Sequence, residues 1–245
     1  MELRNNTILI TGGGSGIGLE LAKKLVAQNN KVLICGRNLE KLLQAKNAIP
    51  EVFIFQCDIS VAEDCAELKE WIYTNHSDLN VLVNNAAIAN KGSFLQDDLI
   101  LEKANSEMET NFLAPVTLCK LLLPLFLKKR RSTIINITTG LVYTPRVIYP
   151  YYNATKAALH SFTKVLRVQL MDTPVEIIEV LLPAVNTPWH KGDAPKIAIS
   201  VEKAVSLMLK GLESGKEEIR IGKVKLLYFL ARLAPSFAFR KINNL

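Results

Sequence analysis

Short runs of aliphatic and β-branched residues alternate with longer amphipathic stretches along most of the 245-residue chain. Several short runs are apolar at consecutive positions, as in residues 32–34 and 81–83, which is typical of parallel strands covered on both faces. We predict strands at residues 7–12, 31–36, 52–57, 79–85, 132–138, 175–182 and 218–222, and helices at residues 17–28, 39–48, 62–75, 97–128, 152–170 and 200–213. The alternation predicts an α/β fold with a doubly wound, mainly parallel seven-stranded sheet, helices on both faces and a single domain over residues 1–245.

Composition narrows the class of protein further. Hydrophobic residues make up 49% of the chain and charged residues 22%, a globular balance. The net charge is +7, but the basic residues are scattered and no recognition motif accompanies them, so nucleic-acid binding is not expected. No signal peptide precedes the first strand and no apolar run approaches the ~20 residues of a spanning helix, which favours a cytoplasmic location. The cysteines lack CxxC spacing and do not cluster with the histidines, which argues against a metal site or disulfides: Cys35, Cys57, Cys65 and Cys119.

A glycine-rich segment, Thr11-Gly-Gly-Gly-Ser-Gly-Ile-Gly18, lies between the first strand and the first helix. Glycine permits a tight turn and lets backbone N–H groups approach a pyrophosphate, while the helix N-terminus adds donors and a favourable dipole. A flexible turn is the alternative, but the strand–turn–helix context favours a Rossmann-type dinucleotide site. The predicted cofactor-binding residues of this segment are Gly12, Gly14, Ser15, Gly16, Ile17 and Gly18.

The ends of the second and third strands indicate which dinucleotide is bound. Arg37 and Asn38 follow strand two, at the place where an NAD site carries an acidic residue for the ribose. No carboxylate is present there, and a guanidinium suits a 2′-phosphate, so NADP(H) is preferred over NAD(H). The alternative is that Arg37 is a solvated loop residue. Asp58 and Ile59 follow strand three and are assigned to the adenine, although Asp58 could instead be a helix cap.

The chain resembles the short-chain dehydrogenase/reductase family over about residues 5–190. The glycine segment is similar to the family's TGxxxGxG motif, and Asp58 is similar to its adenine element. Asn84-Asn85-Ala86-Ala87 resembles the NNAG element, Tyr152 to Lys156 matches YxxxK, and Asn111 falls where the family has a catalytic asparagine. Residues 138–141 and 154–159 look most like the branch of the family that accompanies teichoic-acid D-alanylation genes.

The resemblance implies an oxidoreductase that transfers a hydride between nicotinamide and a carbonyl or alcohol, with Tyr152 as acid/base. Tyr152 and Lys156 share one helix face, and the ammonium, together with oxidised nicotinamide, is expected to lower the phenol pKa from ~10. Thr139 would bind the substrate oxygen, and Asn111 would hold a water that links Lys156 to solvent. Each residue has an ordinary alternative: a surface Tyr–Lys pair, a helix cap for Asn111, and the end of a buried strand for Thr139.

Three departures from the family pattern affect the expected chemistry. Thr139 stands where the family has serine, and Ala87 replaces the last glycine of NNAG. After strand six the turn carries Ala184 where the family has glycine, although Val185 and Thr187 still correspond to residues that face the nicotinamide. Thr139 and the altered turn after strand six motivate an alternative function, a dinucleotide-binding sensor or scaffold with weak catalysis.

The segment 224–242 combines aliphatic and aromatic residues with four basic ones, and Pro235 is expected to break its helix. Packing over the substrate cleft or an oligomer contact is favoured over a peripheral membrane contact. Family resemblance suggests a homodimer or homotetramer. Trp189 and His190 lie where a substrate lid is expected by position.

Overall fold

A computed structural model describes residues 2–188 and 195–245. The strands of the main sheet are β1 Thr7–Thr11, β2 Lys31–Gly36, β3 Phe53–Gln56, β4 Val81–Asn84, β5 Ser132–Thr139, β6 Val175–Leu182 and β9 Glu218–Arg220. These seven parallel strands form one sheet in the order β3-β2-β1-β4-β5-β6-β9, which confirms the predicted fold. Val185–Asn186 and Ile199–Ser200 form a separate two-stranded parallel sheet, β7–β8, that the hydrophobic pattern does not predict. Trp189 and His190, the predicted lid residues, lie outside the described part of the chain.

Helices cover both faces of the sheet because the strands are apolar on both sides. The helices are α1 Gly16–Val26, α2 Leu39–Ala48, α3 Ala62–Asn75, α4 Ile100–Met108, α5 Ala114–Phe126, α6 Pro150–Gln169, α7 Val201–Glu213, α8 Val224–Leu233 and α9 Pro235–Asn243. Ile8 and Ile10 of β1 pack into the hydrophobic core under α1, α2 and α7, whereas Leu9 packs into the core under α3, α5 and α6. This two-residue alternation is the geometry of a strand.

The predicted helix over residues 97–128 is wrong as a single regular element. A π-helical turn, Glu109–Leu113, joins α4 to α5, and the N–H of Ala114 donates to the carbonyl of Glu109, five residues earlier. Pro115 lies in the first turn of α5 and has no N–H to donate to the carbonyl of Asn111, one α-helical turn earlier. The register of backbone hydrogen bonds therefore changes at Asn111.

Two further features place the site. Strand order reverses between β1 and β4, so the crevice in which open parallel sheets bind ligands lies beyond their carboxyl ends. The C-terminal segment is helical, as expected, and breaks between Leu233 and Pro235, because proline cannot continue the hydrogen bonding of α8.

Candidate functional site

The glycine segment forms a tight loop from β1 into α1. Gly12 and Gly16 adopt φ values of +66° and +54°, which favour glycine, and the N–H of Gly12 donates to the carbonyl of Cys35 at 2.8 Å. At Gly18 the constraint is space, since a Cβ there would lie 2.4 Å from the carbonyl oxygen of Gly12. The loop thus needs glycine for conformation at two positions and for close packing at a third, as a backbone cradle for a pyrophosphate does.

The segment after β4 is tied to this loop by hydrogen bonds. The hydroxyl of Thr11 accepts from the N–H groups of Asn85 and Ala86, both at 3.0 Å, and the side-chain amide of Asn85 donates to the carbonyl of Thr11 at 2.9 Å. The structure therefore brings the first and fourth strand ends together. Asn85 contributes by positioning the loop.

The first turn of α1 presents backbone donors to the crevice. Ser15 is the N-cap, but its side chain makes no capping hydrogen bond, and the turn carries no acidic residue. The side chain of Ile17 packs on the core, while a Cβ at Gly16 would lie 3.6 Å from Thr187. Thr187 therefore lies beside the loop, and Val185 is buried in β7. The positive end of the helix dipole is available to an anion here.

The residues assigned to the adenosine half take different positions. Arg37 is exposed after β2, and no carboxylate in the described part of the chain forms an ion pair with it. Asn38 is the N-cap of α2, and its side chain accepts from the N–H of Lys41 at 2.9 Å. Asp58 accepts from both the N–H and the hydroxyl of Ser60, so it forms a turn at the crevice edge, and Ile59 is buried.

The predicted catalytic pair lies in the first two turns of α6. Lys156 is 2% exposed, and its ammonium donates to the carbonyl of Ile137 in β5 at 2.9 Å. Tyr152, one turn earlier, is half-buried, and its ring packs edge-on against Tyr149. Pro150 starts the helix, where its missing N–H has no consequence. A buried cation is thus held against the strand that ends in Thr139.

The expected acidification of the phenol is wrong for the chain by itself. Burial raises the pKa of Tyr152 well above its ordinary value, and the charges of Glu107 and Tyr149 raise it further. Burial also lowers the pKa of Lys156 from 10.5 to about 8, against an opposing effect of Glu179. Desolvation disfavours the charged form of both groups, and sequence spacing does not report desolvation.

Thr139 and Asn111 are both buried and both hydrogen-bonded. The Thr139 hydroxyl donates to the carbonyl of Leu182 and accepts from the N–H of Leu141, each at 3.3 Å, which is long for a hydroxyl bond. The amide of Asn111 donates to the Ile88 carbonyl at 2.8 Å and to the Thr155 hydroxyl at 3.1 Å, and its oxygen accepts from the Ile88 N–H at 2.8 Å. Both amide hydrogens of Asn111 are therefore engaged with protein.

Glu107 is a site residue that sequence reasoning missed. It is 0% exposed, and one carboxylate oxygen accepts from the N–H and the side-chain amide of Asn90, at 2.6 and 2.9 Å. The other oxygen is buried without a hydrogen-bond partner, and burial raises the pKa of Glu107. Its spacing of four from Asn111 was a usable signal, because that spacing places both on one helix face.

A second missed group lies in β6, the strand paired with β5. Glu179 is 0% exposed, accepts from the Thr138 hydroxyl at 2.5 Å and contacts Nδ1 of His160 at 2.8 Å. A glutamate inside the apolar run of β6 was a signal that a partner must exist, because buried carboxylates are rarely left unpaired. This pair braces the residue next to Thr139. No cluster able to hold a metal ion occurs among the residues that the structure describes.

The fold, the glycine loop and the helix that carries Tyr152 and Lys156 together define a nucleotide-dependent oxidoreductase of the short-chain type. The family model for short chain dehydrogenases matches residues 6–197, so the chain belongs to this family. An uncharacterised oxidoreductase of Bacillus subtilis (strain 168), DltE, is 42% identical over 249 residues, covering 100% of this chain and 99% of DltE. That similarity confirms the resemblance to the D-alanylation branch. A fatty acyl-CoA reductase of Acinetobacter baylyi is 30% identical, covering 100% of this chain and 83% of that protein.

Solved structures share the fold over the whole chain. A short-chain dehydrogenase from Burkholderia cenocepacia in complex with NADP superposes with a TM-score of 0.87 at 24% identity, covering 99% of both chains. A short-chain dehydrogenase/reductase from Burkholderia phymatum in complex with NAD has a TM-score of 0.86 at 17% identity, covering 100% of this chain and 98% of that one. One structure contains NADP and the other NAD, so likeness of fold leaves the choice of cofactor open.

Proposed function

We propose that this chain is an NADP(H)-dependent oxidoreductase acting on a carbonyl or alcohol, with Tyr152 as acid/base. The observation that carries the proposal is the buried ammonium of Lys156, held on β5 two residues before Thr139 and one helical turn from Tyr152. The glycine loop fits a dinucleotide because the absence of a side chain at Gly18 lets the first turn of α1 pack directly against the backbone of Gly12. When bound, the nicotinamide supplies or accepts the hydride.

Proton transfer falls to Tyr152. Its raised pKa keeps the phenol protonated at neutral pH, so it can donate to a carbonyl oxygen during reduction. For alcohol oxidation the phenol must give up its proton first, and the cation of Lys156 is the group that favours this. Lys156 would also hold the nicotinamide ribose. Its present acceptor is the Ile137 carbonyl.

Thr139 and Asn111 support this transfer in different ways. Both hydrogen bonds of the Thr139 hydroxyl are long, at 3.3 Å, so turning the hydroxyl toward a substrate oxygen costs little. The Asn111 amide is fully used as a donor, and Pro115 removes the α-helical donor to its carbonyl. We therefore assign the water beside Lys156 to the main chain of Asn111, with the side chain as the support.

The preference for NADP(H) over NAD(H) rests on Arg37. Its exposed guanidinium follows β2 where an acidic residue would select NAD, while Asn38 is committed to capping α2. Titration of Arg37→Asp with NADPH and NADH, followed by nucleotide fluorescence, should show the preference reversed. If the variant still preferred NADPH to NADH, Arg37 would not be the residue that selects the cofactor.

The test of the acid/base assignment is Tyr152→Phe, assayed by NADPH depletion over a panel of aldehydes, ketones and quinones. Turnover should fall by about 10²–10⁴-fold with nucleotide affinity retained, as expected for loss of general acid–base catalysis. Tyr151→Phe is the matched control, because the buried Tyr151 hydroxyl has no hydrogen-bond partner in the described structure and its removal should leave turnover unchanged. Full activity of Tyr152→Phe would refute the mechanism.

The second candidate is a dinucleotide-binding sensor or scaffold. Thr139 in place of the family's serine and the altered turn after β6 motivate it, and the raised pKa of Tyr152 favours it, because a phenol that stays protonated is a poor base for alcohol oxidation. Tight NADPH binding with no turnover over the whole panel would support the sensor. Homodimer or homotetramer formation, a small-molecule carbonyl or alcohol substrate and a cytoplasmic location stay predictions.

A further inference from the structure

The C-terminal helical hairpin, defined as α8 and α9, has one side attached to the site. Val224 is 2% exposed, and a Cβ at Gly140, the residue after Thr139, would lie 3.0 Å from it. At the other end, the amide of Asn243 donates to the Pro145 carbonyl at 3.1 Å, and its oxygen accepts from the N–H of Val147 at 2.8 Å. The hairpin thus packs on the loop that leads from Thr139 to the catalytic helix.

The opposite side of the hairpin is apolar and exposed. Three of its residues in α8 are spaced at i, i+3 and i+7, which places them on one helix face. These are Leu226, Phe229 and Leu233, exposed by 59%, 59% and 83%, and Phe237 of α9 adds 57%. The contacts with the loop after Thr139 therefore account for only the inner side of the hairpin.

Charge distinguishes this surface from an ordinary subunit contact. Residues 221–245 contain five basic residues and no acidic residue, within a chain whose net charge is +7. All five side chains belong to exposed residues: Lys223, Lys225, Arg232, Arg240 and Lys241. Two copies meeting through this face would bring like charges together, whereas an anionic surface would be attracted to it.

We propose that the outer face of the hairpin docks peripherally on a bilayer that contains anionic lipid. Aromatic and aliphatic side chains flanked by lysine and arginine are the composition of interfacial helices. No helix in the described ranges is long and apolar enough to cross a membrane, so the contact is with one leaflet. Docking would bring the loop between Thr139 and α6 toward the lipid. This inference does not depend on the proposed reaction.

The experiment is flotation of the full chain with vesicles of phosphatidylcholine alone and of equimolar phosphatidylcholine and phosphatidylglycerol. The chain should float only with the anionic vesicles. In Lys225→Glu/Lys241→Glu the partition constant should fall at least about 25-fold, since each basic side chain near an anionic surface contributes about five-fold. Phe229→Ser/Leu233→Ser should also lose binding, and both variants should keep the wild-type melting temperature.

The matched control is Lys128→Glu/Arg130→Glu, the same charge change on exposed residues before β5, at the amino ends of the strands. It should float like the wild-type chain. Equal loss in the control would show nonspecific attraction of a basic protein and overturn the proposal. Absence of flotation would do the same. So would an oligomer, seen by light scattering, that Phe229→Ser/Leu233→Ser dissociates without changing flotation, because a second copy would then cover the face.

Discussion

Replacing Lys156 by methionine should stabilise the cofactor-free chain while abolishing its activity. Methionine keeps the unbranched length of the buried side chain and removes the charge. Burial lowers the pKa of Lys156 from 10.5 to about 8. At about 1.4 kcal/mol per pKa unit, holding the ammonium there costs the folded chain about 3 kcal/mol near neutral pH. The variant also loses the hydrogen bond to the Ile137 carbonyl, which offsets about 1 kcal/mol of this gain. The free energy of unfolding should therefore rise by about 2 kcal/mol.

The sign of the pH dependence is specific to this group. Below pH 8 both the folded and the unfolded chain hold the proton, so the cost is complete there. As the pH rises from about 8 to 10.5, the unfolded chain keeps a proton that the folded chain has released, and the native state gains stability. In Lys156→Met this gain disappears. The stability difference between variant and wild-type chain should therefore shrink through this pH range.

The assay is thermal and urea denaturation without nucleotide from about pH 7 to about pH 10. Near neutral pH the variant should melt about 4–8 °C higher, given about 2–4 °C per kcal/mol for a chain of this size. Lys164→Met is the control, because Lys164 is exposed on the same helix and should show no such difference. A stability difference that stayed constant across the pH range would refute the assignment of a desolvated ammonium.

Two other predictions follow from packing and charge. Gly18→Ala places a methyl group 2.4 Å from the Gly12 carbonyl oxygen, whereas Gly14→Ala meets Lys41 at an ordinary 3.4 Å. Denaturation should show a loss of about 1–3 kcal/mol in the free energy of unfolding for Gly18→Ala only; equal stability of the two variants would contradict the clash. Glu107→Gln removes a buried charge that raises the pKa of Tyr152, so the high-pH limb of carbonyl reduction should move to lower pH. An unmoved kcat/KM profile would exclude that coupling.

The architecture of this protein could be predicted from local patterns in its sequence. Consecutive apolar residues in the strands and 3.6-residue periodicity in the helices are local properties, and alternating strands and helices can be connected in few ways. The glycine loop could be predicted equally well, because the positive φ values that require glycine at positions 12 and 16 belong to one short turn of the chain. The Tyr152–Lys156 pair could also be predicted from the sequence, because a spacing of four places both residues on one helix face. Local patterns failed at the π-helical turn, where Pro115 changes the register of backbone hydrogen bonds, and at the short β7–β8 pair, whose two strands have only two residues each.

The tertiary structure alone decided the electrostatics of the site. The pKa values of Tyr152 and Lys156 depend on burial under β5 and on Glu107 and Glu179, which approach from α4 and β6. The sequence order of these groups does not show which of them are close in space or how much water each one loses. Desolvation and through-space charge are set by packing among distant segments, so the same Tyr–Lys spacing is compatible with an acidic or a basic phenol until the fold is known.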